Sequence, residues 1–217
     1  MKKVTRALKI SIYCFLGLFC LLVLIRIVTE SYYPKDMKRL YFTDELAAYY
    51  QENTEQFQAY TQKIRAPYDD SDEGNFFAKH VIVVPDGEHL QVCVRYNDST
   101  LEELCAEYGD RILNQDGSLK LTYKLRVSYG EQETVTYDMS NDSFISERFM
   151  YHYTKVLFDG VPFTDAVWMR VDIYLLDGDV ERPLGSIPVY ESVVVVDEQP
   201  VPYKLKEYKL KKSERPA

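Results

Sequence analysis

The chain has 217 residues, 46% of them hydrophobic and 28% charged, the composition of a globular rather than a disordered or collagen-like protein. Its net charge of −8 is unevenly spread: residues 1–9 carry +4, residues 203–217 carry +4, and residues 30–202 carry −17. A body that acidic repels nucleic-acid phosphates, so DNA and RNA are excluded as leading partners.

The N-terminal stretch MKKVTRALKISIYCFLGLFCLLVLIRIVTESYYP is expected to hold a transmembrane signal-anchor helix over 10–28. A hydrocarbon core of ~30 Å calls for roughly 20 helical residues, and the apolar run reaches that length if Arg26 snorkels to the headgroups. Lys2, Lys3, Arg6 and Lys9 all precede the run, so residues 1–9 are expected as a cytoplasmic stub and the rest of the chain outside the cytoplasm. The competing reading is a cleaved signal peptide. The run is long for that, and it ends in RIVTESYYP rather than in small residues of the A-x-A kind. Nothing like a lipobox precedes Cys14 or Cys20, which read as small apolar residues of the helix. A stub of nine residues excludes a folded cytoplasmic effector, so inward signalling would need another membrane protein.

Residues 29–75 read as a juxtamembrane helix followed by an acidic linker. Thr43 is a fair N-cap, with Asp44 and Glu45 in the first turn. Leu46, Tyr50, Phe57, Tyr60 and Ile64 recur near helical spacing, and Ala66-Pro67 stops the pattern. This predicts a helix over 43–67, as a stalk, as a cover for the domain, or as a weak partner helix. The linker YDDSDEGN, 68–75, raises the question of calcium. An EF-hand loop starting at Asp69 puts Ala78 at its ninth position and His80 at its twelfth, where a bidentate carboxylate is essential. A looser site on Asp69, Asp70, Asp72 and Glu73 remains as a weak calcium candidate. Solvated punctuation between helix and sheet is the leading reading.

From residue 76 the period changes from 3.6 to 2. FFAKHVIVV and HLQVCVRY flank Pro85-Asp86-Gly87-Glu88, a hairpin signal. Next comes a short helix, STLEELCAEYG, with Ser99 and Glu102 placed for a capping box and Gly109 as terminator. LKLTYKLRVSY, 119–129, alternates without a fault: Leu119, Leu121, Tyr123, Leu125, Val127 and Tyr129 share one face. Strand patterns at 133–139, 148–158, 166–176 and 184–196 follow, punctuated by Asp-Gly pairs. The expected fold is therefore mainly β: an antiparallel β-sandwich of immunoglobulin-like architecture over 76–202. The alternative is an α+β roll with the helix packed on a curved antiparallel sheet. Residues 203–217 read as a basic tail, solvated, attached as a last edge strand, or drawn to anionic headgroups.

Chemistry is sparse. Cys93 and Cys105 are a candidate disulfide, closing a loop of about 12 residues at roughly 3 kcal/mol in the chain-entropy model, against two separate apolar thiols. The histidines at 80, 89 and 152 have no metal-ligand spacing, and no nucleophile motif, phosphate loop or cofactor fingerprint is present. Tyr123, Tyr129 and Tyr137 read as core rather than sugar platforms. The function expected is a non-catalytic, single-pass membrane protein whose exported sandwich binds an envelope protein or wall component. The alternatives are an envelope hydrolase with a carboxylate site that is not legible in the sequence, and a calcium-stabilised surface module. No cofactor is expected.

Overall fold

Buried backbone groups must find partners, and this chain pairs most of its own through antiparallel ladders. A computed structural model describes residues 2–31, 34–62, 75–130, 133–141, 144–148, 151–196, 198–202 and 204–216. By contact the chain divides into two units, Met1–Lys35 and Asp36–Ala217.

The first unit is one helix, α1 (Lys2–Ser31). Its described side chains, 12–26, are all exposed, Cys14 and Cys20 among them. Among the described residues no helix is long and apolar enough to cross a membrane, which overturns the transmembrane helix expected over 10–28. Lys2, Lys3, Arg6 and Lys9 lie on α1, with side chains outside the described residues.

The second unit contains α2 (Lys35–Lys38), α3 (Asp44–Glu52), β1 (Tyr60–Gln62), β2 (Phe77–Val84), β3 (His89–Asn97), α4 (Asp98–Tyr108), β4 (Leu121–Ser128) and β5 (Thr134–Asp138). It continues with β6 (Phe144–Arg148), β7 (Tyr151–Phe158), β8 (Trp168–Asp177), β9 (Val180–Glu191), β10 (Val193–Val196), β11 (Gln199–Pro202) and β12 (Lys206–Glu207). Among the described residues three sheets result: a six-stranded one in the order β12-β1-β2-β3-β7-β6, a four-stranded one in the order β5-β4-β8-β9, and the hairpin β10-β11. The two larger sheets share one core, as the period-2 pattern requires. Val81, Val83, Leu90, Val92 and Val156 come from the first, and Tyr123, Leu125, Val171, Ile173 and Val189 from the second. Tyr129 and Tyr137 pack against this core with their hydroxyls 3.0 Å apart, so the core reading of the tyrosines holds. Six strands facing four is a different division from the four and three of an immunoglobulin constant domain.

Among the described residues the helix expected over 43–67 is cut back to α3, and its last part, 63–67, lies outside them. Thr43 caps it as expected, its hydroxyl accepting from the Leu46 amide at 3.3 Å. The helix stops because Asn53 and Thr54 turn their side chains back onto the carbonyls of Tyr49 and Tyr50, at 3.0 and 2.9 Å. Phe57 still reaches the same apolar cluster by folding back, its ring 5.0 Å from that of Tyr50 and 5.9 Å from that of Phe42. α3 covers the outer face of the six-stranded sheet, where Leu40, Leu46 and Ala59 bury Ile82 and Val84. A helix on an antiparallel sheet, the essence of the alternative fold, thus coexists with the sandwich. Gly87, in the β2–β3 turn, lies so close under α3 that a Cβ would meet Tyr49 and Val84 at 3.0 Å.

The cap of α4 lies two residues earlier than the capping-box pattern predicts. Asn97, not Ser99, is the cap, accepting from the Thr100 amide at 2.9 Å, and Gly109 ends the helix at φ 74°. The C-terminal stretch is not a solvated tail. Lys206 and Glu207 pair with β1, the edge-strand alternative, and Tyr208 and Leu210 pack on the cluster under α3.

Candidate functional site: a cation-lined cleft

The outer face of the six-stranded sheet is built from alternate residues of β3 and β7. Val92 and Val156 point into the sandwich, so their neighbours Gln91, Cys93, Lys155 and Leu157 must point out. Outward does not mean solvated here. Gln91, Cys93, Lys155 and Leu157 are all at most 2% exposed, because residues 36–42 lie across them as a strap.

The strap is irregular, so its backbone groups need side-chain partners. Gln91 accepts from the Tyr41 amide at 2.9 Å and donates to the Arg39 carbonyl at 2.8 Å. The Tyr208 hydroxyl accepts from the Leu40 amide at 3.1 Å and donates to the Glu214 carboxylate at 2.8 Å. Burial, followed by that carboxylate, pushes the Tyr208 hydroxyl up to about 12, so it stays a donor at neutral pH. Lys155 Nζ donates to the carbonyls of Asp36 and, at 3.0 Å, of Arg39, and stands 4.6 Å from the centre of the Phe144 ring.

Between this strap and the C-terminal segment lies a cleft of ≈ 420 Å³. Its walls combine Tyr41, Phe42 and Phe144 with the cations Arg39, Lys155 and Arg215 and the acids Asp36 and Glu214. The acids are engaged locally: Asp36 faces Arg39 at 3.4 Å, and Glu214 accepts from Tyr208 and from the Lys211 amide. No carboxylate among the described residues lies within ion-pair reach of Lys155 or of Arg215. Burial pulls the Lys155 ammonium down to about 8, with partial compensation from neighbouring anions. Further along the ladder, Arg95 stacks over Tyr151 at 4.7 Å, and its Nε and Nη1 have no hydrogen-bond partner among the described residues. In a body of −17, this face gathers the buried Lys155 with the exposed Arg39 and Arg215, and only Arg39 of these three has a carboxylate within ion-pair distance among the described residues.

Two histidines carry carboxylate partners and could suggest acid–base chemistry. His89 Nδ1 lies 2.7 Å from Asp159, which also accepts from Thr43 at 2.9 Å. Burial pushes the Asp159 carboxyl up, but the bond and charge of His89 and the bond from Thr43 outweigh it and hold it below the usual range. The ionised carboxylate therefore accepts from Nδ1–H. The remaining ring nitrogen, Nε2, is sealed in the interior of a residue at 0% exposure, where no substrate proton can reach it. His152 stacks flat on Tyr96 at 4.8 Å and faces Asp98 at 3.1 Å. Both pairs pin the fold.

Cys93 and Cys105 are not joined by a disulfide. Cys93 is on the outer face of β3, opposite Lys155, whereas α4 packs Cys105 against the Tyr96, Leu119 and Leu175 cluster. Tyr96 points to the opposite side of β3 from Cys93, so the strand separates the two thiols. The calcium candidates Asp69, Asp70, Asp72 and Glu73 lie outside the described residues. Among the described residues no three His, Cys, Asp or Glu side chains converge as a metal site. Sequence reasoning did not find Lys155, Arg39 or Arg215 as a group. They come together from three distant parts of the chain, and only the basic character of 203–217 hinted at one of them. Comparison with protein-family models, curated proteins and solved structures finds no match for this chain.

Proposed function

We propose that this protein is a non-catalytic binding module whose cleft takes the anionic group of a ligand, a carboxylate or a phosphate, with an apolar part resting on Tyr41 and Phe144. The observation that carries this reading is Lys155: a side chain 2% exposed, lining an open cleft, with no carboxylate within ion-pair distance among the described residues, although Asp36 and Glu214 line the same cleft. A buried charge is ordinarily paired, and an incoming anion would complete the pair, with Arg39 and Arg215 at the rim to attract it. The rings of Tyr41 and Phe144, 5.6 Å apart, offer an apolar surface beside that charge.

The test is a thermal-shift series on the full chain with small aromatic carboxylates and phosphomonoesters, each beside its uncharged amide or alcohol at matched ionic strength. The anions are expected to raise the melting temperature and the neutral analogues to leave it unchanged. Lys155→Gln, which keeps a donor for the strap, should abolish the shift. The reading fails if no anion stabilises the wild type, or if the shift survives in Lys155→Gln.

A further inference from the structure

The hairpin β10–β11 stands apart from both larger sheets: its strands pair only with each other among the described residues. Val193 is 44% and Val201 40% exposed, on opposite faces of the ribbon. A lone two-stranded ribbon with both faces wet is marginal in water, and exposed valines call for a cover.

The two long edges of this ribbon are not equivalent. Pro200 pairs with Val195, and Pro202 with Val193. A proline has no N–H to exchange, so both are non-hydrogen-bonded pairs, and the inner ladder runs through Val194–Val201 and Val196–Gln199. The outward positions of β11 are therefore the prolines, and that edge offers no donors to a further strand. The outward positions of β10 are Val193 and Val195, which keep both N–H and C=O. One edge is closed by proline, and on the other no strand pairs among the described residues.

Charge frames the open edge. Glu191 precedes it and Glu198 sits at the hairpin tip with φ 63°, both exposed. Residues 191–202 contain no Lys or Arg. A second copy of this chain would bring the same acids to the same edge, where like charges facing each other destabilise pairing.

We infer that the open edge of β10 receives an extended strand of another protein, β-branched in its centre and cationic at both ends. Main-chain bonds to Val193 and Val195 would supply affinity, and the flanking glutamates would choose the partner. This inference is independent of the cleft.

The experiment is fluorescence anisotropy of a labelled peptide, Lys-Lys-Val-Thr-Val-Thr-Val-Lys-Lys, titrated with the full chain. A Glu-flanked peptide of the same centre serves as the comparison. The Lys-flanked peptide is expected to bind and the Glu-flanked one to bind at least roughly tenfold more weakly. Val195→Pro removes an outward donor and no inner bond, so it should abolish binding with little change in melting temperature. Should that variant fail to fold, the exposed double variant Glu191→Lys/Glu198→Lys decides: it should reverse the peptide preference. The proposal is overturned if the wild type binds neither peptide, if both bind equally, or if a folded Val195→Pro binds as well as the wild type. It is also overturned if the wild type sediments as a dimer that Val195→Pro dissociates, since the occupant would then be a second copy.

Discussion

Lys155 makes a pH-dependent stability prediction that separates its charge from its packing. In the unfolded chain its ammonium titrates near 10.5, and in the folded protein burial brings this down to about 8. Between these values the unfolded chain holds a proton that the folded chain has released, so stability rises with pH across the window. Below about 8 both states are charged and the full cost of burying the ammonium is present; above about 10.5 both are neutral and the cost is gone. Moving the ammonium from near 10.5 to about 8 corresponds to roughly 3 kcal/mol, most of it gained between pH 7 and 10. Lys155→Met removes the titration while filling the same space. The measurement is urea unfolding of both proteins at pH 7 and pH 10. The wild type should gain roughly 3 kcal/mol relative to Lys155→Met, a relative midpoint shift on the order of 1 M for a typical urea slope. Tyrosines and other lysines also titrate in this range, but they are common to both proteins and cancel in the difference. If the stability difference between the two is the same at both pH values, the ammonium is not desolvated, and the argument for an unpaired charge in the cleft fails.

Three further outcomes test the frame around the cleft. Asp159→Asn should cost about 2–3 kcal/mol at pH 7, because buried His89 loses a charged partner. Since the folded carboxyl is held below its usual value, this contribution is present above the unfolded range near 4 and lost on acidification, so wild type and variant should converge in thermal melts toward pH 3. Gly109→Ala should cost about 1–3 kcal/mol by chemical denaturation: a Cβ there meets nothing within 4 Å, so the penalty is that of a side chain at φ 74°, ψ −178°. Leu125→Ala, at 0% exposure in the middle of β4, should lose about 2–5 kcal/mol, with a size that reports how far the sandwich core collapses around the void.

The strand positions were legible wherever one face stayed wet. β4 shows this: Tyr123, Leu125 and Val127 are buried while Lys124 and Arg126 reach the surface to meet Glu181 and Asp172. β7 shows the opposite. All but the first of its residues are buried, because the sandwich covers one face and the strap the other. In such a strand the alternation no longer separates core from surface, and a lysine reads as solvent-facing by its type alone. The end of α3 was hidden for a different reason. The apolar spacing continues past Asn53, but side-chain bonds of Asn53 and Thr54 to the helix's own carbonyls cut the backbone away while Phe57 keeps its place in the cluster. The disulfide expectation rested on a short loop between Cys93 and Cys105, and loop length does not say which side of β3 the helix will cover.

The strap by itself does not call for an ammonium. Gln91 shows how such a task is done without charge: one amide accepts from Tyr41 and donates to Arg39, fully buried and fully paired. A neutral donor at position 155 would serve the carbonyls of Asp36 and Arg39 equally and would avoid a desolvation cost of several kcal/mol. The Phe144 ring offsets part of that cost, since a desolvated cation over an aromatic face gains about 2 kcal/mol. The two carbonyls offset more, and Asp36 and Glu214, beyond ion-pair distance, offset only part of the remainder. The fold therefore keeps a charge whose structural duties need none, in a cleft where a second molecule can approach it. That surplus is what an anionic ligand would neutralise. It also predicts the sense of the coupling: an anion bound to Lys155 raises its pKa, so binding and protonation reinforce one another, and affinity falls as the pH climbs through 8.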